Sequence, residues 1–363
     1  MILSSSIVPP GGLVLVTGST GFIGSYIANG LLELGYRVRG TVRSSEKAAW
    51  VTQALIKRNP SANFEAVIVP DQNAPGVWDA VLKDVDGIAH VAGDVSFGPD
   101  PTKVITPSVE ALRRLLEAAS KERSVKRFVF TSSDQAASNR STTQEIPINE
   151  NTWNEEAIEA AWKPPPYEAE RGWDVYSALK AQVEQEMWRF SQEENPSFVV
   201  NSVLPTYTIG AIFDEQQAGS TAKWLLDFYK DPSKDGFMRG FGASYFGYVE
   251  DVALLHIGAL TQEEVKDKRL LAFAGRFNFN SWLDVFRKQD PGKPWPGNDP
   301  TQGLDTRRVN DETELDILRR FGKNGWKSFE NSVLKCLFLK MWVTAHEISL
   351  IRSKAILCFG AYY

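Results

Sequence analysis

Tyr176 and Lys180 stand four residues apart within 174–191, a stretch where Val175, Leu179, Val183, Met187 and Phe190 recur at helical spacing. A separation of four puts the phenol and the ammonium on one helix face. They lie beside the apolar stripe, so both can line a cleft against whatever that stripe packs on. A free phenol ionises near pH ~10, and a neighbouring cation is expected to bring that value down. Lowering it by about two to three pH units asks for roughly 3–4 kcal/mol, which one ammonium in a partly dry site can supply with help from a second positive charge. The chemistry implied is proton transfer at a carbonyl or alkoxide oxygen. A serine to hold that oxygen is offered by Phe130-Thr131-Ser132-Ser133-Asp134, the end of an apolar run. Ser133 is the candidate and Ser132 the reserve. Tyr-x-x-x-Lys alone is a common accident on helices, and Ser-Ser-Asp is also an ordinary turn, so the surrounding elements have to decide.

Those elements begin with Thr17-Gly18-Ser19-Thr20-Gly21-Phe22-Ile23-Gly24, which follows an apolar run at 13–16 and opens a helical pattern at 23–34. In such a turn Gly18 takes the tight bend, Gly21 lets backbone N–H groups approach a pyrophosphate, and Gly24 allows close helix–sheet packing. Gly18, Thr20, Gly21, Phe22, Ile23 and Gly24 are therefore candidate cofactor contacts. The next strand, 38–42, ends in Arg43-Ser44-Ser45-Glu46-Lys47 with no carboxylate where an NAD site needs one for the ribose 2′-hydroxyl. Arg43, with Lys47 beside it, suits a 2′-phosphate instead, so NADP(H) is expected. A solvated arginine at a strand end is the plainer alternative.

Further strands are expected at 64–69, 88–92, 128–132 and 198–204, with helices at 45–57, 77–82 and 107–120 between them. This alternation predicts an α/β fold: a Rossmann-type, doubly wound parallel sheet with a smaller C-terminal substrate-binding part. Residues 1–205 are expected to be mainly the nucleotide-binding domain. Residues 206–333 are expected to be mainly substrate-binding, with some elements returning to the core. Helices are expected there at 220–229, 249–260 and 311–321, and a short strand at 270–274. Residues 334–363 form an atypical tail, apolar and aromatic with scattered charges.

The net charge of -5 offers no basic surface for nucleic acid or an anionic membrane. Both cysteines, Cys336 and Cys358, lie in the tail, so the body has neither a disulfide nor a cysteine zinc site, and a reducing, cytoplasmic setting is expected. No apolar run reaches membrane-spanning length, and the first ten residues lack the charged start and apolar stretch of a secretory signal. His90 and His256 read as packed, hydrogen-bonded residues rather than metal ligands, and no metal is expected. Oligomeric state cannot be read from the sequence.

Together these motifs resemble the extended short-chain dehydrogenase/reductases over roughly residues 10–330, with His90-Val91-Ala92-Gly93, Thr131-Ser132-Ser133 and Tyr176-x-x-x-Lys180 in register with the glycine spacing. Asp94-Val95-Ser96-Phe97, Thr152-Trp153-Asn154, Asn201-x-Val203-Leu204-Pro205 and Tyr248-Val249-x-Asp251-Val252-Ala253 are similar to the branch that holds dihydroflavonol reductases, cinnamoyl-CoA reductases and, most of all, fungal NADPH-dependent aldehyde/ketone reductases. The resemblance implies catalysis by Ser133, Tyr176 and Lys180. It also implies cofactor contacts from Asp71 near adenine, from Val91 and Ala92, and from Pro205 near nicotinamide. A substrate pocket of Phe97, Thr206, Thr208 and Trp224 follows, with a small carbonyl compound as partner. Three departures from the pattern stand out: Ser108 replaces a common Asn of the proton relay, Thr206 a common Asn, and the pair Ala111-Leu112 a usual Gly-Thr. A sugar-nucleotide epimerase or dehydratase on the same scaffold would need a diphosphate-sugar site, which the Trp/Phe-rich 206–245 with few paired arginines does not suggest. A non-catalytic NADP-sensing regulator would have no use for Ser133, Tyr176 and Lys180 together.

Overall fold

The computed structural model describes residues 6–214, 216–217 and 221–337. The first half alternates strands and helices as β1 (Leu13–Thr17), α1 (Phe22–Glu33), β2 (Arg37–Val42), α2 (Ser45–Arg58), β3 (Phe64–Ile68), α3 (Val77–Val81), β4 (Gly87–His90), α4 (Pro101–Lys121) and β5 (Arg127–Thr131). Then come β6 (Ile146–Ile148), α5 (Glu155–Ala161), α6 (Gly172–Glu194) and β7 (Val199–Pro205). The remainder is β8 (Tyr207–Ile209), α7 (Thr221–Lys230), α8 (Gly236–Phe241), β9 (Ser244–Tyr248), α9 (Val249–Thr261), β10 (Arg269–Ala272), β11 (Gly275–Phe277), α10 (Phe279–Gln289), β12 (Arg307–Val309) and α11 (Glu312–Arg320).

Seven strands form one parallel sheet in the order β10-β7-β5-β4-β1-β2-β3. Because side chains alternate along a strand, β1 sends Leu13 and Leu15 into one apolar layer and Val14 and Val16 into the other. The first layer holds Leu112, Leu115 and Leu116 of α4 against Val175, Leu179, Met187 and Phe190 of α6. The second holds Ile27 and Leu31 of α1 against Val252, Leu255 and Ile257 of α9. The doubly wound sheet is thus the one the sequence pattern predicts. Strand order reverses between β1 and β4, and in such sheets the crevice at that switch point, outside the carboxyl ends of the strands, is where ligands bind.

Two expectations change. The helix expected at 107–120 starts at Pro101, because Asp100 caps it through Thr102 N (3.0 Å) and Pro101 occupies a first-turn position where its missing N–H costs nothing. Pro107 therefore lies inside the helix. A three-stranded sheet, β11-β9-β8, and the aromatic cluster of Tyr207, Phe228, Phe277, Phe279, Trp282 and Phe286 beside it were not expected from the pattern. Residues 334–337 continue a helical segment, and Cys336 and Leu337 are buried in that cluster. The rest of the tail, with Cys358, lies outside the described residues.

Candidate active site

The glycine turn leaves β1 at the switch point. Gly18 has φ +66°, and a Cβ there would sit 3.0 Å from Ala92 Cα, so only glycine fits between the turn and the end of β4. Thr17 ties the same two strands together: its Oγ1 accepts from Val91 N (3.0 Å) and Ala92 N (3.1 Å) and pairs with His90 Nδ1 at 2.8 Å. Helix α1 then begins with no side-chain cap and no acidic residue in its first turn. Its first N–H groups are left for an anion, as a pyrophosphate site requires.

One cleft of about 540 Å³ runs from this turn across the carboxyl ends of the strands. It is lined by Gly18, Thr20, Gly21, Phe22, Ile23 and Gly24, by Arg43 and Lys47 after β2, by Val91 and Ala92 after β4, by Ser132, Ser133, Tyr176 and Lys180, and by Pro205, Thr206 and Thr208 after β7. Neither Arg43 nor Lys47 forms an ion pair among the described residues, so two cations stand ready at one end of the cleft. A second cavity of about 620 Å³ adjoins it; Asp71 lines this one rather than the first, together with Arg43, Ser108, Ala111 and Lys180. Phe97 lines neither but stacks on Tyr176 and Trp173 (ring centres 4.8 and 5.3 Å apart). Trp224 is away from both, tilted against Phe237 at 4.5 Å. Ser108 turns its hydroxyl back to Val104 O (2.7 Å), the usual habit of a mid-helix serine.

The phenol and ammonium do share the cleft, but their electrostatics differ from expectation. Burial pushes the Tyr176 phenol up to about 12, with the Ser133 hydroxyl pulling the other way. Lys180 supplies none of the expected lowering, and its side chain donates to Thr131 O at 3.1 Å. Burial brings Lys180 itself down to about 8, while Glu184 opposes the fall. The phenol is thus held protonated, the form a proton donor needs.

Other groups support the site: Glu184 and Gln217 were not singled out in the sequence, whereas His90 and His256 were expected as packed, hydrogen-bonded histidines. Glu184, fully buried one helical turn after Lys180, accepts from Ser132 Oγ (2.6 Å), Ser202 Oγ (2.6 Å) and Arg269 Nε (2.8 Å). A carboxylate so placed is tolerable only because every lone pair is engaged. Through it α6, β5, β7 and β10 are fastened under the reacting groups. His256 Nε2 meets Thr131 Oγ1 at 2.8 Å and its Nδ1 donates to Val252 O at 2.8 Å; burial keeps both it and His90 neutral. Gln217 reaches over the glycine turn to Ser25 Oγ (2.8 Å) and Gly21 O (3.1 Å). For Glu184 the only advance signal was its place on the Tyr176/Lys180 face, at a spacing of four.

The fold and cleft define a dinucleotide-binding α/β protein with a serine–tyrosine–lysine set at the carboxyl ends of its strands. The chain belongs to the NAD dependent epimerase/dehydratase family, whose profile matches residues 14–272, and is an oxidoreductase of the extended short-chain dehydrogenase/reductase type. It is 89% identical to the NAD-dependent epimerase/dehydratase terH of Aspergillus terreus over 93% of this chain and 99% of that one. It is 37% identical to aldehyde reductase 2 of Sporidiobolus salmonicolor over 91% and 96%. Among solved structures, a reductase engineered for asymmetric catalysis superposes with a TM-score of 0.76 at 26% identity, covering 89% of this chain and 97% of that one. The yeast methylglyoxal/isovaleraldehyde reductase complexed with NADPH shares the fold (TM-score 0.75, 23% identity, 89% and 96% covered). Among the described residues no helix is long and apolar enough to cross a membrane, and no His/Cys/Asp/Glu group could hold a metal.

Proposed function

We propose that this protein is an NADPH-dependent reductase of aldehydes or ketones, with Tyr176 as proton donor. The observation that carries the reading is one cleft joining the glycine turn and Arg43 to Ser133, Tyr176 and Lys180. Gly18, Thr20, Gly21, Phe22, Ile23 and Gly24 hold the pyrophosphate, and Arg43 and Lys47 the 2′-phosphate. Asp71 lies toward the adenine, with Val91, Ala92 and Pro205 toward the nicotinamide. When bound, the reduced nicotinamide supplies a hydride.

Ser133 turns its hydroxyl from Asp134 Oδ1, its present acceptor at 3.2 Å, to the substrate's carbonyl oxygen and sets that oxygen beside the phenol. The Tyr176 proton passes to the oxygen as negative charge develops there. With the cofactor bound, Lys180 turns its ammonium from Thr131 O toward the phenolate left behind and holds the nicotinamide ribose. Phe97, Thr206 and Thr208 bound the substrate, while Trp224, away from both cavities, is left out of the pocket. Residues 1–205 with β10 and α9 serve the cofactor, and most of 206–333 selects the substrate. The names of the relatives, an aldehyde reductase and fungal ketoreductases among them, agree with this reading.

The test follows nicotinamide absorbance with NADPH, then NADH, across a panel of aldehydes and ketones. NADPH should be consumed and the alcohol formed. Tyr176→Phe should lower kcat by about a hundredfold or more with NADPH affinity unchanged. Full activity in that variant, or no carbonyl reduced by the native protein, overturns the proposal.

A further inference from the structure

A cation with no part in hydride or proton transfer stands behind the Trp173 ring. Arg140 follows Ser133 by seven residues, and its guanidinium lies 3.9 Å from the Phe241 ring centre and 5.3 Å from that of Trp173. The same indole is 5.9 Å from the Tyr176 ring and stacks on Phe97. One aromatic ring therefore touches both the guanidinium and the candidate proton donor.

Arg140 has little to satisfy it. Nη1 donates to Phe241 O at 2.7 Å. A guanidinium carries five N–H groups, and the other four have no acceptor among the described residues, nor does Arg140 form an ion pair there. The nearby acids are committed elsewhere. Arg307 takes both oxygens of Asp305 and also Asp134 Oδ2 (2.9 Å), while Asp134 Oδ1 accepts from Ser133. Unlike Arg127 Nε, the unpartnered Arg140 Nε and Nη2 are not fully buried, and the residue as a whole is half-buried. Burial also holds the guanidinium's pKa below its usual range, Asp134 partly offsetting this. A poorly hydrated cation with most donors unused is costly alone, and a planar oxyanion is the ligand that matches its fork.

We propose that Arg140 anchors an oxyanion on the carbonyl substrate, a carboxylate or an ionised enol, so that the enzyme prefers ketones bearing such an acidic group over their neutral counterparts. This rests on the carbonyl-reductase reading. The experiment compares 4-acetylbenzoate with methyl 4-acetylbenzoate, and 1,3-cyclohexanedione with cyclohexanone, the pairs separating carboxylate from enol. At least one acidic member should be favoured about tenfold or more in kcat/KM. Arg140→Gln should erase that preference mainly through KM, costing the neutral partner far less, and Arg140→Lys should keep part of it. In parallel, calorimetry should show benzoate binding to the NADP-saturated native protein and not to Arg140→Gln. No preference in either pair together with no benzoate binding overturns the proposal, as does an equal loss on acidic and neutral ketones in Arg140→Gln. Benzoate bound through Arg140 in a protein that reduces no ketone would sink the reductase reading and leave the anion site standing. If Arg140→Gln does not fold, the native preference and Arg140→Lys decide.

Discussion

Tyr176 was legible in the sequence as a candidate proton donor, but its electrostatic state was not. Spacing shows that Lys180 shares its face; it does not show that the ammonium bonds Thr131 O, or that dry packing holds the phenol up to about 12. Likewise Glu184 could be seen on that face, but its partners Ser132, Ser202 and Arg269 come from three other strands or strand ends and meet only in the fold. The coenzyme reading belongs at this scale too. Arg43 and Lys47 have no acidic partner among the described residues, and the proposed function gives them a 2′-phosphate. Replacing both with Ala should weaken NADPH roughly ten- to a hundredfold, as expected for lost charge-assisted hydrogen bonds, and NADH by much less. Fluorescence titration with the two coenzymes reads this directly; equal weakening would speak against a phosphate contact.

At the scale of elements, the core strands were readable as short continuous apolar runs and the helices from apolar residues recurring at near-four spacing. The small sheet was not, since β8 and β11 are three residues each, too short for any period to emerge. The start of α4 was missed because Pro107 resembles a helix boundary, whereas the Asp100 cap and Pro101 six residues earlier mark the true one. The start of α6 shows what positions the aromatic side of the cleft. Gly172 is packed so closely on the Phe97 carbonyl that an added methyl overlaps it, and Phe97 itself holds φ +54°. Gly172→Ala should push Phe97 off Tyr176 and Trp173. We expect KM for the carbonyl to rise severalfold and stability to fall by about 1–3 kcal/mol, with NADPH affinity kept. An unchanged melting temperature and KM would refute the contact's importance.

Across the whole molecule, pH acts through a few buried groups. Glu314 is buried on α11; its Oε1 accepts from Leu271 N on β10 (2.6 Å), its Oε2 has no partner, and burial raises it from 4.5 to about 7. Between those values the folded chain keeps a proton that the unfolded chain has released, so stability falls as pH rises from about 4.5 to 7. At about 1.4 kcal/mol per pH unit the loss is on the order of 3 kcal/mol. Glu314→Gln should therefore melt higher than the native protein at pH 8, with the gap closing near pH 5. The neutral histidines work in the opposite sense: lowered to about 3 and about 4, His90 and His256 withdraw stability as pH drops below 6.5. Melting curves across that range separate the two.

Arg269 lies on β10, the outermost strand of the large sheet, and neutralises Glu184 directly beneath the serine–tyrosine–lysine set. On a ribosome, the nucleotide-binding half emerges first yet carries an unanswered buried anion and an unfinished sheet edge until residues 269–272 are out. A truncated product ending before Lys268 should accordingly stay open to proteases, however complete its glycine turn. The support beneath Ser133, Tyr176 and Lys180 thus depends on a strand from the chain's last third.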